Sequence, residues 1–162
     1  MKSIKSLENI ENKYVLLRLD LNVPILNGKI TDTNRIDKII PTLRFLIKRK
    51  AKIIIISHVG RPNGKIVKKL SLEPVSLFIK NKIKKEVILI KENIFRLKKK
   101  DIFKNSNYRL VLLENIRFYS EEEANDDKFS KKLASFGEIY VNDAFSCSHR
   151  SHASIEKITN FL

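Results

Sequence analysis

Four consecutive isoleucines, Ile53 to Ile56, stand between Lys52 and Ser57. Side chains alternate faces along a strand, so this run leaves no face for water and has to be covered on both sides. Further short apolar runs at residues 14–19, 86–90, 109–113 and 138–142 read as strands of the same sheet. Helical periodicity lies between them. Over residues 33–50, Ile36, Ile39, Ile40, Leu43, Phe45, Leu46 and Ile47 fall mostly along one stripe, and Thr31 to Thr33 offer caps. Residues 71–83, opening with Ser71, Glu73 and Pro74, and residues 126–135 read as helices, and 154–162 as the start of another. This alternation predicts an α/β fold of three layers, α/β/α, around a mostly parallel sheet.

A length of 162 residues and 43% hydrophobic composition fit one globular domain over residues 1–162. No apolar run approaches the roughly 20 residues that cross a bilayer, and no signal-peptide core opens the chain. With Cys147 as its single cysteine, the chain reads as a soluble cytoplasmic protein without a membrane partner. The net charge of +15 raises the question of nucleic acid. Its lysines are scattered, however, and only Phe78 and Phe95 accompany the clusters, too little aromatic surface for base stacking. Specific nucleic-acid binding is therefore not expected. A non-enzymatic basic module for nucleic acid or other polyanions stays as the alternative reading.

Ligands of open α/β sheets bind beyond the carboxyl ends of the strands. The polar residues of this chain concentrate there. The first strand carries Arg18 and runs into Asp20, Asn22 and Pro24; the second runs into Ser57, His58, Gly60, Arg61 and Pro62. The fourth runs into Glu114, Asn115 and Arg117, and the fifth into Asn142, Asp143, His149 and Arg150, while Arg35 follows the loop after the first strand. Arg18, Asp20 and Asn22 alternate and are expected on one side, as a polar network or as ligand contacts. Guanidinium forks match phosphate and carboxylate oxygens and stay charged. Arg35, Arg61, Arg117 and Arg150 on one rim, with His58 and His149, suit a small, multiply charged anion.

Other constellations carry less. Gly60 to Lys65 fails as a phosphate loop, because its spacer is one residue short, Ile66 follows the lysine, and Pro62 has no amide to offer. Cys147, His149 and His152 lack the paired spacing of a zinc site, so no metal is expected. Ser146 or Ser148 with His149 and Asp143 has no accompanying nucleophile-elbow motif. Glu121-Glu122-Glu123 reads as an exposed loop or the acidic first turn of a helix.

Taken together, Arg18-Leu-Asp20-Leu-Asn22-Val-Pro24, Ser57-His58-Val-Gly60-Arg61-Pro62, Leu113-Glu114-Asn115-Ile-Arg117-Phe118 and Val141-Asn142-Asp143-Ala-Phe145, followed by His149-Arg150-Ser-His152, resemble the phosphoglycerate kinase family. Order and spacing agree, and the likeness runs the length of the chain while covering only the family's N-terminal, Rossmann-like lobe. The resemblance implies a glycolytic phosphotransferase whose partners are 3-phosphoglycerate and 1,3-bisphosphoglycerate. It implies that Asp20 and Asn22 orient the hydroxyl end of the substrate, and that His58, Arg61, Arg117 and Arg150 hold the phosphate that is not transferred. Arg35 would be the catalytic residue, meeting the carboxylate and then the phosphoryl group in flight; His149 is a secondary candidate. The family's Mg-ATP or Mg-ADP belongs to the C-terminal lobe, absent from residues 1–162 and possible as a separate chain, so no turnover is expected alone. Ser146-Cys147-Ser148 departs from the glycine and small residues usual there, which bears on the placement of His149 and Arg150.

Overall fold

The computed structural model describes residues 4–104 and 107–162. The sheet strands are β1 (Tyr14–Leu19), β4 (Lys52–Ile56), β5 (Ile88–Ile90), β6 (Leu110–Leu113) and β7 (Ile139–Asp143), all parallel, in the order β5-β6-β4-β1-β7. A small hairpin, β2 (Ile25–Leu26) and β3 (Lys29–Ile30), follows β1. Helices α1 (Asn34–Lys48) and α2 (Glu73–Ile83) cover one face; α3 (Lys99–Ile102), α4 (Ser120–Glu123) and α5 (Asp127–Ala134) belong to the other.

The isoleucine run divides as its alternation requires. Ile53 and Ile55 join the core beneath α1 and α2, whereas Ile54 and Ile56 join the opposite core with Leu16, Phe129 and Leu133. All four are fully buried. The chain moves from β1 through β4 to the edge strand β5 with α1 and α2 on one face. It then turns back through β6 and across to β7 with the later helices on the other. Crossovers of a single hand demand this change of face when the direction of travel reverses. Neighbouring strands then send their outgoing loops to opposite faces, which opens a crevice at the carboxyl edge.

Some boundaries differ from the sequence reading. Strand β5 starts at Ile88 rather than at residue 86, and Glu86 instead pairs with Lys80 at 2.9 Å. Thr33 makes no cap bond. Its backbone is already helical (φ −101°, ψ −3°) and its hydroxyl donates to Asp37 Oδ2 at 2.8 Å. Asp32 takes over at that end, its carboxylate accepting from the Asn34 amide at 2.9 Å. Asp126 does cap α5, accepting from the Phe129 amide at 2.7 Å. Residues 154–162 form only a 3₁₀ turn, Lys157–Asn160. No helix among the described residues is long and apolar enough to cross a membrane.

Phe129, fully buried at the centre of the second core, is expected to dominate its packing. Urea unfolding should place Phe129→Ala about 3–5 kcal/mol below the parent. Leu77→Ala, at a side chain 56% exposed on α2, should fall within about 0.5 kcal/mol of it.

Candidate functional site

Short polar bonds lock the strand ends together before any ligand is considered. The Ser57 hydroxyl donates to the Leu19 carbonyl at 2.7 Å and accepts from the Leu21 amide at 3.1 Å, fixing the exit of β1 against that of β4. Asn115, fully buried after β6, donates its side-chain amide to the carbonyls of Val59 (2.8 Å) and Leu70 (2.9 Å). Its own carbonyl accepts from the Arg117 amide at 3.1 Å, which sets where that arginine starts. Asn22 Oδ1 accepts from the Gly60 amide at 2.9 Å. Gly60 itself turns at φ +64°, a conformation that L side chains rarely adopt.

These anchors surround a cavity of about 230 Å³. Asp20, Asn22, Arg35, His58, Arg61, Arg117 and Arg150 all line it, and sequence reasoning singled out each of them. Gly60, Ser146 and Cys147 complete the wall. His149 is exposed and is not one of the lining residues. Three larger depressions, of about 660, 740 and 460 Å³, lie elsewhere, and none has a comparable convergence of arginines. Among the described residues no group of three His, Cys, Asp or Glu side chains is gathered as a metal would require.

Strand β1 ends at Leu19, so of the alternating polar trio only Arg18 lies within the strand. Arg18 is 1% exposed and sits beneath the cavity. Its Nη1 donates to the Leu19 carbonyl, Nε to Ser154 Oγ at 3.0 Å, and Nη2 lies 3.0 Å from His58 Nδ1. Ser154 Oγ in turn donates to Glu122 Oε1 at 2.6 Å, and the Ser154 amide to Oε2 at 3.0 Å. The acidic triplet therefore needs a correction. It does form the first turn of a helix, α4, but its middle member is fully buried rather than solvated. Glu122 is held there by Ser154 and by the charge of Arg18, a residue far away in sequence, so no local pattern signals it. Burial raises its pKa, and Arg18 opposes that rise.

The cavity is short of negative charge. Asp20 is its one carboxylate, and Arg35 and the Ser146 hydroxyl both engage it. Arg117, 4% exposed, donates Nη1 to the Gly60 carbonyl at 3.1 Å. Its Nε stands 3.9 Å from Glu123, beyond hydrogen-bond reach, and has no partner among the described residues. Burial, with Arg150 and Arg18 nearby, pulls its pKa below the usual arginine range, although Glu123 works the other way. His58 is pushed down to about 2, first by burial and then by Arg18, Arg117, His152 and Arg150. It is neutral across the ordinary pH range. Free Arg N–H groups facing one small space, with too little carboxylate to balance them, form a receptor for an anion.

The fold and this edge define an α/β protein with a basic cavity beyond the ends of its strands. The family model for phosphoglycerate kinase matches residues 4–162. The phosphoglycerate kinase of the Wolbachia of Brugia malayi is 48% identical over the whole of this chain, and that of Prochlorococcus marinus is 46% identical over 97% of it. The solved phosphoglycerate kinase of Coxiella burnetii superposes with a TM-score of 0.86 at 36% identity over 98% of the chain, and that of Pyrococcus horikoshii with 0.82 at 31% over 97%. The chain belongs to the phosphoglycerate kinase family. It spans about two fifths of the length of these relatives, 41% and 39% of the two curated chains.

A histidine whose folded pKa lies below its unfolded value binds fewer protons in the native state, so stability falls as pH drops below about 6.5. Urea unfolding at pH 7 and 5.5 should cost the parent about 1 kcal/mol more than His58→Gln, which carries no titrating ring. An equal loss in both proteins would mean that His58 titrates as a solvated imidazole.

Proposed function

We propose that the cavity binds 3-phosphoglycerate and 1,3-bisphosphoglycerate, and that this chain supplies the phosphoglycerate half of a phosphoglycerate kinase site. The observation that carries the reading is the surplus of donors. Arg35, Arg61, Arg117 and Arg150 face a space whose only lining carboxylate is already engaged. A substrate bearing both a phosphate and a carboxylate supplies the missing negative charge at two points. His58, Arg61, Arg117 and Arg150 hold the phosphate that stays. Asp20 and Asn22, with the Asn22 carbonyl occupied by Gly60 and its amide left to donate, orient the hydroxyl end.

Arg35 stands at the start of α1 with Asp20 and Ser146 steering its guanidinium. In the family's reaction a phosphoryl group passes from ATP to the substrate carboxylate, and negative charge spreads over the group in transit. Arg35 meets the carboxylate first and then offsets that charge, a role of positioning and electrostatic stabilisation. The loop after β4 offers the magnesium nucleotide no phosphate cradle. The glycine-bearing loop after β4 is closed, because the Gly60 amide serves Asn22 and a Cβ on Gly64 would meet Ser120 at 2.8 Å. The nucleotide therefore belongs to a part of the family's fold outside residues 1–162, on the same chain or on a separately encoded lobe. The alternative of a non-enzymatic basic module gains no support from the family match, and lysines such as Lys80, Lys82 and Lys91 are paired with carboxylates.

Titrating the isotope-labelled chain with 3-phosphoglycerate should give saturable shifts at Arg35, Arg61, Arg117 and Arg150. Arg35→Ala should weaken binding about tenfold or more, the equivalent of one charge-assisted contact. The chain alone should show no ATP-dependent turnover. A well-dispersed spectrum without saturable shifts would overturn the reading. Binding that ignores Arg35→Ala but collapses with salt would instead identify a general polyanion surface.

A further inference from the structure

Arg18 touches none of the space where a ligand would sit, yet its contacts decide what His58 can offer there. A guanidinium has donors only and does not lose its proton in a protein. Whatever lies within hydrogen-bond distance of it must accept. Arg18 Nη2 stands 3.0 Å from His58 Nδ1, so Nδ1 is the bare, accepting nitrogen. The same logic runs the other way along the chain of contacts. Ser154 Oγ accepts from Arg18 Nε at 3.0 Å, so its own proton goes to Glu122 Oε1 at 2.6 Å. Glu122 thereby turns Ser154, Ser154 turns Arg18, and Arg18 aims at His58.

We infer that Arg18 is a positioning residue that fixes His58 as the neutral tautomer protonated at Nε2, so that the imidazole presents an uncharged N–H donor to the bound phosphate. This deepens the proposed function and rests on its reading of the anion. Among the described residues Nε2 has no protein partner, and His58 is part of the cavity wall. The neighbourhood explains why a neutral donor serves better than a charged one. Arg18 and Arg117 are already buried, and a protonated ring would both add a cation beside them and lose the bond that Nδ1 accepts. A neutral ring with the opposite tautomer would set N–H against N–H at Arg18 and turn a lone pair toward the phosphate. One tautomer alone satisfies both sides of the ring.

The test reads the imidazole nitrogens directly by long-range proton–nitrogen correlation on the ligand-free chain at neutral pH. Nδ1 is expected at the shift of a bare ring nitrogen and Nε2 at that of a protonated one. In Arg18→Met the two nitrogens should move toward a mixture of tautomers, and 3-phosphoglycerate binding should weaken about tenfold, as expected for one misdirected donor. A parent ring protonated at Nδ1, or on both nitrogens, overturns the inference, as does a folded Arg18→Met with an unchanged tautomer. If that variant does not fold, the parent spectrum decides alone. The tautomer is read without ligand, so failure of 3-phosphoglycerate to bind a chain with the expected tautomer counts against the proposed function and not against the role of Arg18.

Discussion

The whole carboxyl edge depends on a cation buried where cations are costly. Arg18 occupies a position on β1 that alternation would give to an apolar residue, within a strand whose other members from Val15 to Leu19 are fully buried. An unpaired charge there would be strongly destabilising. Arg18 is tolerated because its N–H groups are used: by the carbonyl of the neighbouring residue, by a histidine 40 positions on and by a serine 136 positions on. Glu122 supplies the counter-charge through the serine. The exit of β1, the exit of β4, the loop after β7 and the turn of α4 are thus held by one set of bonds, and the arginines above inherit their positions from it.

The electrostatics then follow from geometry. Arg117 is buried for the sake of where its fork must point, and Asn115 and the Gly60 carbonyl hold it there. Because the sheet edge excludes water from Arg117 and His58, repulsion among cations is poorly screened and the imidazole stays neutral. Arg35, Arg61 and Arg150 keep contact with solvent at the mouth. The cavity accordingly has a dry floor of fixed donors and a wet rim of adjustable ones. Such a gradient suits a ligand that needs one end held still and the other left reactive.

Much of this was legible in the sequence because it follows from alternation and from where polar residues interrupt it. The five strands, the three principal helices and seven of the ten residues of the cavity wall come from local pattern or from motifs at strand ends. What stayed hidden involves partners far apart in the chain. Glu122 sits among other acids and looks solvated; nothing near it in sequence announces Ser154 or Arg18. Thr33 is a good cap by composition, but its hydroxyl finds Asp37 instead. His149 shares a motif with Arg150, yet only Arg150 lines the cavity, and nothing in the motif itself separates the two. Ser146 became visible as a wall residue only once its hydroxyl was seen against Asp20.

The strand order also has a consequence in time. Strand β1 lies between β4 and β7, so one of its edges is paired by the next sheet strand in the chain and the other by the last. The ladder that closes this second edge, from Val15 opposite Ile139 to Leu19 opposite Asp143, joins residues 124 positions apart. During synthesis at about 5–20 residues per second, that edge stays open for roughly 6–25 seconds after β1 leaves the ribosome. Contacts of such long range are the slow part of folding. A ribosome-bound chain lacking β7 therefore carries β1 as an unpaired outer strand, its backbone groups open on one side, and the interval before β7 arrives is when the nascent protein most needs a chaperone.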